Sequence, residues 1–343
     1  MTSHRLIKPH RALGVLSVAI GTGLWGTVGP IVALFPEGTA FQYAMLRNIT
    51  GTLTLWIFVA FSRKKVRYTR ADIAPIIIGG LGAAAFQPFF YTALNLTGVA
   101  VASLVAIGVA PIFVGAIAWI AFGRAPGILW LLGTLVAVTG VAFLNWPSPD
   151  APVKVVGIAL ALGAAFSYSF QATGVGMILQ RHTPMQSIAP IFLVGTILQA
   201  PLNIGRSFDF ITEPRLIAGF VYGGVATVAI AYIMFSYGVK QVGTPVAVTV
   251  GLAEPLTATA MGVLILGESI APTGAIGLVM ILVGLVVVSV PTKPKERHVG
   301  RHSESHHGQH SKDAVTDDNE IAQALDDPDS FAHEAILDTV TTH

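Results

Sequence analysis

The sequence contains no cysteine. Disulfides, zinc–thiolate sites and thiol catalysis are therefore excluded. Charge is also scarce. Asp, Glu, Lys and Arg make up 11% of the 343 residues, against about 25% in an ordinary soluble domain. That shortage excludes a water-soluble enzyme, a nucleic-acid binder and a disordered scaffold. Three catalytic signatures are missing as well. Without G-x-x-x-x-G-K-[ST] there is no sign of ATP coupling, and neither H-E-x-x-H nor G-x-S-x-G appears. The expectation is a protein that is not an enzyme and uses no cofactor.

What is present is apolar: 53% of residues are hydrophobic and the mean hydropathy is +0.70. A bilayer core needs about 20 apolar residues per helical crossing. Residues 1–291 hold ten such runs, near 13–34, 41–61, 73–94, 99–121, 127–144, 155–178, 185–204, 215–237, 244–266 and 273–290. Runs such as 276–290 are apolar on every face, which favours lipid-embedded helices over the alternating strands of a barrel. The fold class expected is an all-α membrane protein. The connections are short, so any site must lie among the helices. The first run is too long for a signal peptide and no small-x-small site follows it.

Charge divides the chain. Residues 1–291 carry 15 Lys/Arg against 7 Asp/Glu, and residues 292–343 carry 5 against 11. With both termini in the cytoplasm, the inside segments hold 16 of the 20 Lys/Arg. These include Arg5, Lys8, Arg11, Arg124, Arg181, Lys240 and five between Arg63 and Arg70. The outside loops hold only Lys154, Arg206 and Arg215. The positive-inside rule therefore predicts that orientation. Residues 1–12 read as a cytoplasmic N-terminus and 292–343 as a disordered cytoplasmic tail. Five histidines lie between His298 and His310. A metal-binding tract and a plain solvated tail are both open readings of them.

The chain repeats. A shift of 144 residues places Pro111 on Pro255, Gly133 on Gly277, Gly140 on Gly284 and Tyr91 on Phe235. Trp25 falls near Tyr168 after a one-residue adjustment. Each repeat, 13–144 and 155–291, holds five helices. Five is odd, so the second unit enters the membrane from the opposite side, an arrangement that recurs in secondary transporters. Pro111 and Pro255 each free a carbonyl four residues earlier, at Ile107 and Gly251. Either the two prolines are hinges that flank one central cavity, or they are packing kinks. The glycine pairs, seven apart and so on one helix face, predict close helix contact within one chain or across a homodimer.

These features resemble the EamA-type branch of the drug/metabolite transporter superfamily. The residues that carry the resemblance are Leu24-Trp25-Gly26, Ala44-Met45-Leu46-Arg47 and Ala102-Ser103-Leu104 leading to Pro111. Ala253-Glu254-Pro255 followed by Leu266-Gly267-Glu268 is the most specific stretch. The resemblance covers 11–291. It implies export or exchange of small metabolites such as amino acids, amines, carboxylates or drug-like amphipaths. One departure stands out: Arg124 occupies the place where the first half of the family often has a glutamate.

Several residues are candidates for the chemistry. Glu254 is the acid expected near the midplane, and an ionisable group at that depth is a functional candidate. It can hold or release a proton, which suits a proton-coupled antiporter; the alternative is a carboxyl that locks helices beside Pro255. Arg47 either attracts a substrate carboxylate, snorkels to headgroups or pairs with Glu254, and Asn48 beside it can act similarly. Gln87, with Pro88, is expected to break the third helix, with Tyr91 one turn later. Tyr168 and Gln171 share a face of the sixth helix. Both amides either line a cavity or bond across helices. Trp25, Tyr232 and Tyr237 supply amphipathic walls or simple packing. Glu268 reads as helix-start electrostatics. The predicted function is an alternating-access exporter whose partners are a small molecule and the lipid bilayer, with no nucleic acid. A metal exporter using the histidine tail and a non-transporting scaffold or sensor are the rival readings.

Overall fold

The computed structural model describes residues 9–32, 34–62, 66–146, 154–267 and 269–291. The histidine-rich tail, Glu268 and the 63–65 part of the basic cluster lie outside the described residues. All regular structure among the described residues is helical. Among the described residues these elements make ten membrane-crossing helices, and the chain is a multi-pass membrane protein.

Helix α1 covers Pro9–Trp25 and is followed by a short turn of helix at Val28–Val32, so the first apolar run is interrupted rather than continuous. Helix α2 covers Ala40–Phe61. The next helical stretch, Arg70–Gly108, divides at Gly98, where φ is 75° and ψ 167°. Helix α3 is thus 70–97 and α4 is 99–122, the latter jogged at Val109 just before Ala110–Phe122. Helices α5 (Ile128–Leu144), α6 (Val155–Ile178) and α7 (Pro184–Gln199) follow. Helix α8 runs Pro214–Val242 with a wide π turn at Gly223–Ile230. Helix α9 comprises Thr244–Val250, a 3-10 turn at Gly251–Ala253 and Glu254–Leu266. Helix α10 is Pro272–Ser289.

The repeat is visible in the backbone. Gly98 between α3 and α4 has its counterpart in Gly243 between α8 and α9, where φ is 85° and ψ 157°. Only glycine takes that conformation without strain, so one residue replaces a whole connecting loop. The jog before Pro111 is matched by the 3-10 turn before Pro255. Both α4 and α9 end on a left-handed glycine, Gly123 and Gly267.

Packing follows the same symmetry. Helix α3 lies against α6, and α8, its repeat mate, lies against α1, the repeat mate of α6. Helices α5 and α10 pair with each other. A Cβ at Gly140 would stand 2.7 Å from the Gly277 carbonyl oxygen, and one at Gly284 would stand 2.6 Å from that of Gly133. The glycine faces therefore serve contact inside one chain, where the two backbones approach too closely for any side chain.

One end of the bundle gathers the starts of odd-numbered helices and the ends of even-numbered ones. There Arg11 Nε donates to the Ser289 carbonyl at 3.2 Å. Arg67, Arg70, Arg124, Arg181 and Lys240 all belong to this basic end, whereas Lys154, Arg206 and Arg215 belong to the other. The apolar core of Val18, Ala172, Val175, Ile178, Ile188, Ile191, Phe235 and Ala247 fills the space nearer the basic end.

Candidate functional site

A cavity of about 900 Å³ occupies the middle of the bundle and extends toward the end away from the basic residues. Its mouth is lined by Val28, Val32, Leu94, Val99, Leu144, Asn145, Ile270 and Gly274, which stand at or near the ends of their helices. Its deeper wall includes Ala83, Phe86, Tyr168, Phe192 and Val248. All eight predicted substrate-site residues line it: Trp25, Arg47, Gln87, Tyr91, Tyr168, Gln171, Tyr232 and Glu254. Residues from both repeats share the wall, as the inverted arrangement requires.

Glu254 stands at the junction between the 3-10 turn and the last part of α9. Its carboxylate has neither a hydrogen bond nor an ion pair among the described residues, and it is half-buried at the cavity wall. Pro255 also lines the cavity, as does Gly251, whose carbonyl the proline cannot serve and which accepts instead from the Glu254 backbone N–H across the 3-10 turn. Pro111 does not: it is buried against neighbouring helices, and only Ile107 of its turn reaches the wall. The two prolines mark equivalent kinks, but they do not flank the cavity equally.

Arg47 is not paired with Glu254. Its Nε donates to Thr227 Oγ1 at 2.8 Å and its Nη2 to the Thr227 carbonyl at 3.4 Å. Trp25 Nε1 donates to that same carbonyl at 2.9 Å. Thr227 lies in the π turn of α8, where the wider backbone leaves its carbonyl open to side-chain donors. It ties α1, α2 and α8 together. An isolated threonine in an apolar helix gives no warning of this in the sequence.

The third helix is not broken at Gln87 and Pro88. It continues through both residues to Gly98. Pro88 removes the donor that would have bonded the Ala84 carbonyl, and Gln199 Nε2 of α7 donates to that oxygen at 3.4 Å. The freed acceptor is covered by a neighbouring amide, so the helix keeps its course. Gln199 Nε2 also donates to Gln87 Oε1 at 2.7 Å, and Asn48 Nδ2 donates to Gln199 Oε1 at 2.8 Å and Gln87 Oε1 at 3.3 Å. Gln87 and Asn48 thus face the cavity while belonging to an amide cluster that joins α2, α3 and α7. Gln199, absent from the expected site, is its hub.

The remaining wall is aromatic. The Trp25 and Tyr232 rings lie 4.7 Å apart at 46°, and Tyr168 meets Trp25 edge-on at 6.1 Å. Tyr232 donates its hydroxyl proton to Gln171 Oε1 at 3.4 Å. The Tyr168 hydroxyl is buried with no partner among the described residues. Tyr91 packs edge-on to Phe41 at 6.0 Å. Tyr237 is not part of the wall; five residues beyond Tyr232, it falls on another side of α8.

The basic end has a different chemistry. Asp72, in the first turn of α3 and 1% exposed, accepts from Arg181 Nη1 at 3.0 Å and lies 3.1 Å from His182 Nε2. The Thr69 backbone N–H and hydroxyl also donate to it, at 2.8 and 2.9 Å. Tyr68 donates its hydroxyl proton to the Gln186 carbonyl at 2.9 Å. Burial first, and then the Asp72 charge, push the Tyr68 hydroxyl up to about 12, so it stays a donor. These contacts tie the starts of α3 and α7 to the end of α6. Among the described residues no group of three or more acidic, histidine or cysteine side chains is placed to hold a metal ion.

The profile of the EamA-like transporter family matches residues 12–146 and 155–290, once for each repeat. The uncharacterized transporter YwfM of Bacillus subtilis (strain 168) is 32% identical over 283 residues, 82% of this chain and 95% of the relative. The threonine/homoserine exporter RhtA of Salmonella typhimurium (strain LT2) is 25% identical and covers 69% of this chain and 78% of its own length. One solved crystal structure superposes with a TM-score of 0.68 at 19% identity, covering 83% of this chain and 99% of the other. It shares the fold.

Proposed function

Since the chain belongs to the EamA-like transporter family, we propose that it exports small zwitterionic or cationic metabolites, amino acids foremost, across the bacterial inner membrane. The observation that carries this reading is the pairing of opposite charges on one wall. Arg47 and Glu254 line the same cavity without neutralising each other, among aromatic rings of Trp25, Tyr168 and Tyr232. An α-amino acid offers the complement: a carboxylate for Arg47, an ammonium for Glu254 and an apolar stem for the rings. The relative named as a threonine/homoserine exporter agrees with that class.

The reading is alternating access with both termini cytoplasmic, which sets the basic end inside. The cavity then faces outward in this state. Glu254 is the coupling group. Its deprotonated form holds a substrate ammonium, and its protonated form does not. Proton and substrate exclude each other at one carboxylate, which is the condition for exchange. Pro111 and Pro255 act as the hinges of α4 and α9. One chain is the transport unit, and a homodimer would need a face other than the glycine pairs. No catalytic step is involved.

The test is an untargeted comparison of intracellular metabolites in deletion and overexpression strains. One compound should accumulate on deletion and fall on overexpression. Purified protein in proteoliposomes should then carry that compound, driven by a pH gradient. No change in any metabolite, together with no flux of amino acids in proteoliposomes, would overturn the reading.

A further inference from the structure

A second cavity, of about 440 Å³, lies at the basic end, apart from the central one. It is lined by Arg67, Arg181, His182 and Lys240 together with Gln180, Thr183 and Gln186. Among the described residues, none on its wall is acidic. Asp72 is buried behind it and already engaged by Arg181, His182 and Thr69. Neither Arg67 nor Lys240 has a hydrogen-bond or ion-pair partner among the described residues, and both are exposed. Asp72 balances the charge of Arg181, so two cations face one concave space without a counter-ion among the described residues.

Two unpaired cations converging on a concave surface, beside an arginine whose charge is already balanced, repel one another unless an anion joins them. Arginine and lysine together suit a phosphoryl oxygen cluster: arginine supplies paired N–H donors and lysine a compact charge. We infer that this pocket binds a phosphoryl group. Basic pockets at the end of a helical bundle take anionic lipid headgroups in this way, and a soluble phosphate offers the same chemistry. Arg67 belongs to the first repeat, Arg181 and Lys240 to the second. A bound phosphoryl group therefore bridges the repeats at the end where the bundle is shut. The inference stands whatever the central cavity carries.

The full-length protein in detergent is titrated with phosphatidylglycerol and, as the neutral control, phosphatidylcholine, with bound lipid counted by native mass spectrometry. A parallel arm uses inorganic phosphate. Phosphatidylglycerol should bind saturably and phosphatidylcholine should not. The double variant Arg67→Gln/Lys240→Gln should bind about thirtyfold more weakly, on the basis of the usual contribution of each basic residue to anionic-lipid binding. Binding of phosphate but not of phosphatidylglycerol, lost in the same variant, assigns the pocket to a soluble ligand. Both side chains are exposed, so the variant keeps its fold, checked by an unchanged Tm without ligand. Equal binding by parent and double variant, or no binding of either phosphoryl probe, overturns the inference.

Discussion

The two ends of this molecule are related by the repeat and yet are built differently. At the basic end a buried carboxylate, Asp72, gathers Thr69, Arg181 and His182 and fastens α3 to α6. At the opposite end the ion pair among the described residues, Glu213 with Arg215 at 2.8 Å, is exposed and spans only two positions of the chain. The central cavity opens toward that second end. The repeat relates α3 to α8 and α6 to α1, so the mate of the Asp72 cluster would join the start of α8 to the end of α1. No such ion pair is present among the described residues. The difference shows that one sequence symmetry is compatible with an asymmetric state, with one end tied and the other open. In the proposed mechanism the contacts at the basic end are what must break for the cavity to face the cytoplasm.

The largest effect should come from reversing the tied end. Asp72→Arg sets a cation beside Arg181 and His182, and loss of a buried charge partner typically costs about 3–5 kcal/mol. A marked fall in Tm in detergent is expected, and an unchanged Tm would show that the cluster does not hold this end. Next comes the open side. Glu254→Gln removes the charge that faces a substrate ammonium, and a hydrogen bond to a charged group contributes about 1.5–3 kcal/mol. Substrate affinity in proteoliposomes should fall about tenfold to a hundredfold by that estimate, and the pH dependence of transport should flatten. A variant with the parent's rate and pH profile would remove Glu254 from coupling.

A smaller loss is expected at the hub of the amide cluster. Gln199→Leu leaves the Ala84 carbonyl and the Gln87 and Asn48 amides short of partners, at about 1–3 kcal/mol. Thermal unfolding measures it, and full stability in this variant would mean that α3 does not need the cover over Pro88. The smallest effect belongs to the open end. Glu213→Gln should change stability by less than about 1 kcal/mol, because the pair it breaks is exposed. Equal losses for Glu213→Gln and Asp72→Arg would erase the contrast between the ends.

Much of this was legible in the sequence because a bilayer imposes long apolar runs, and ten of them are found close to their expected limits. The kinks before Pro111 and Pro255 and the close glycine faces of α5 and α10 also followed from residue chemistry. Glu254 stood out because an acid in such a run is rare. Other features depend on which helix lies beside which, and no local pattern encodes that. Thr227 and Gln199 are single polar residues whose partners stand more than 100 positions away. The course of α3 through Pro88 is set by Gln199 on another helix, so a reading of α3 alone placed a break there. Asp72 lies just past a run of basic residues, and nothing in that local sequence sets it apart. Only the approach of α6 buries it. The single-residue turns at Gly98 and Gly243 were missed for another reason: glycine is common in these helices, and left-handed backbone leaves no trace in composition.

The most direct test of alternating access uses the absence of cysteine, which gives an unmodified background for labelling. Ser103 lines the central cavity. Ser103→Cys is placed in membrane vesicles of both orientations and treated with a membrane-impermeant maleimide, with and without transported substrate. At rest, labelling is expected from the face opposite the basic end. During turnover the same cysteine should also become reactive from the basic face. Labelling from one face only under every condition would rule out alternating access.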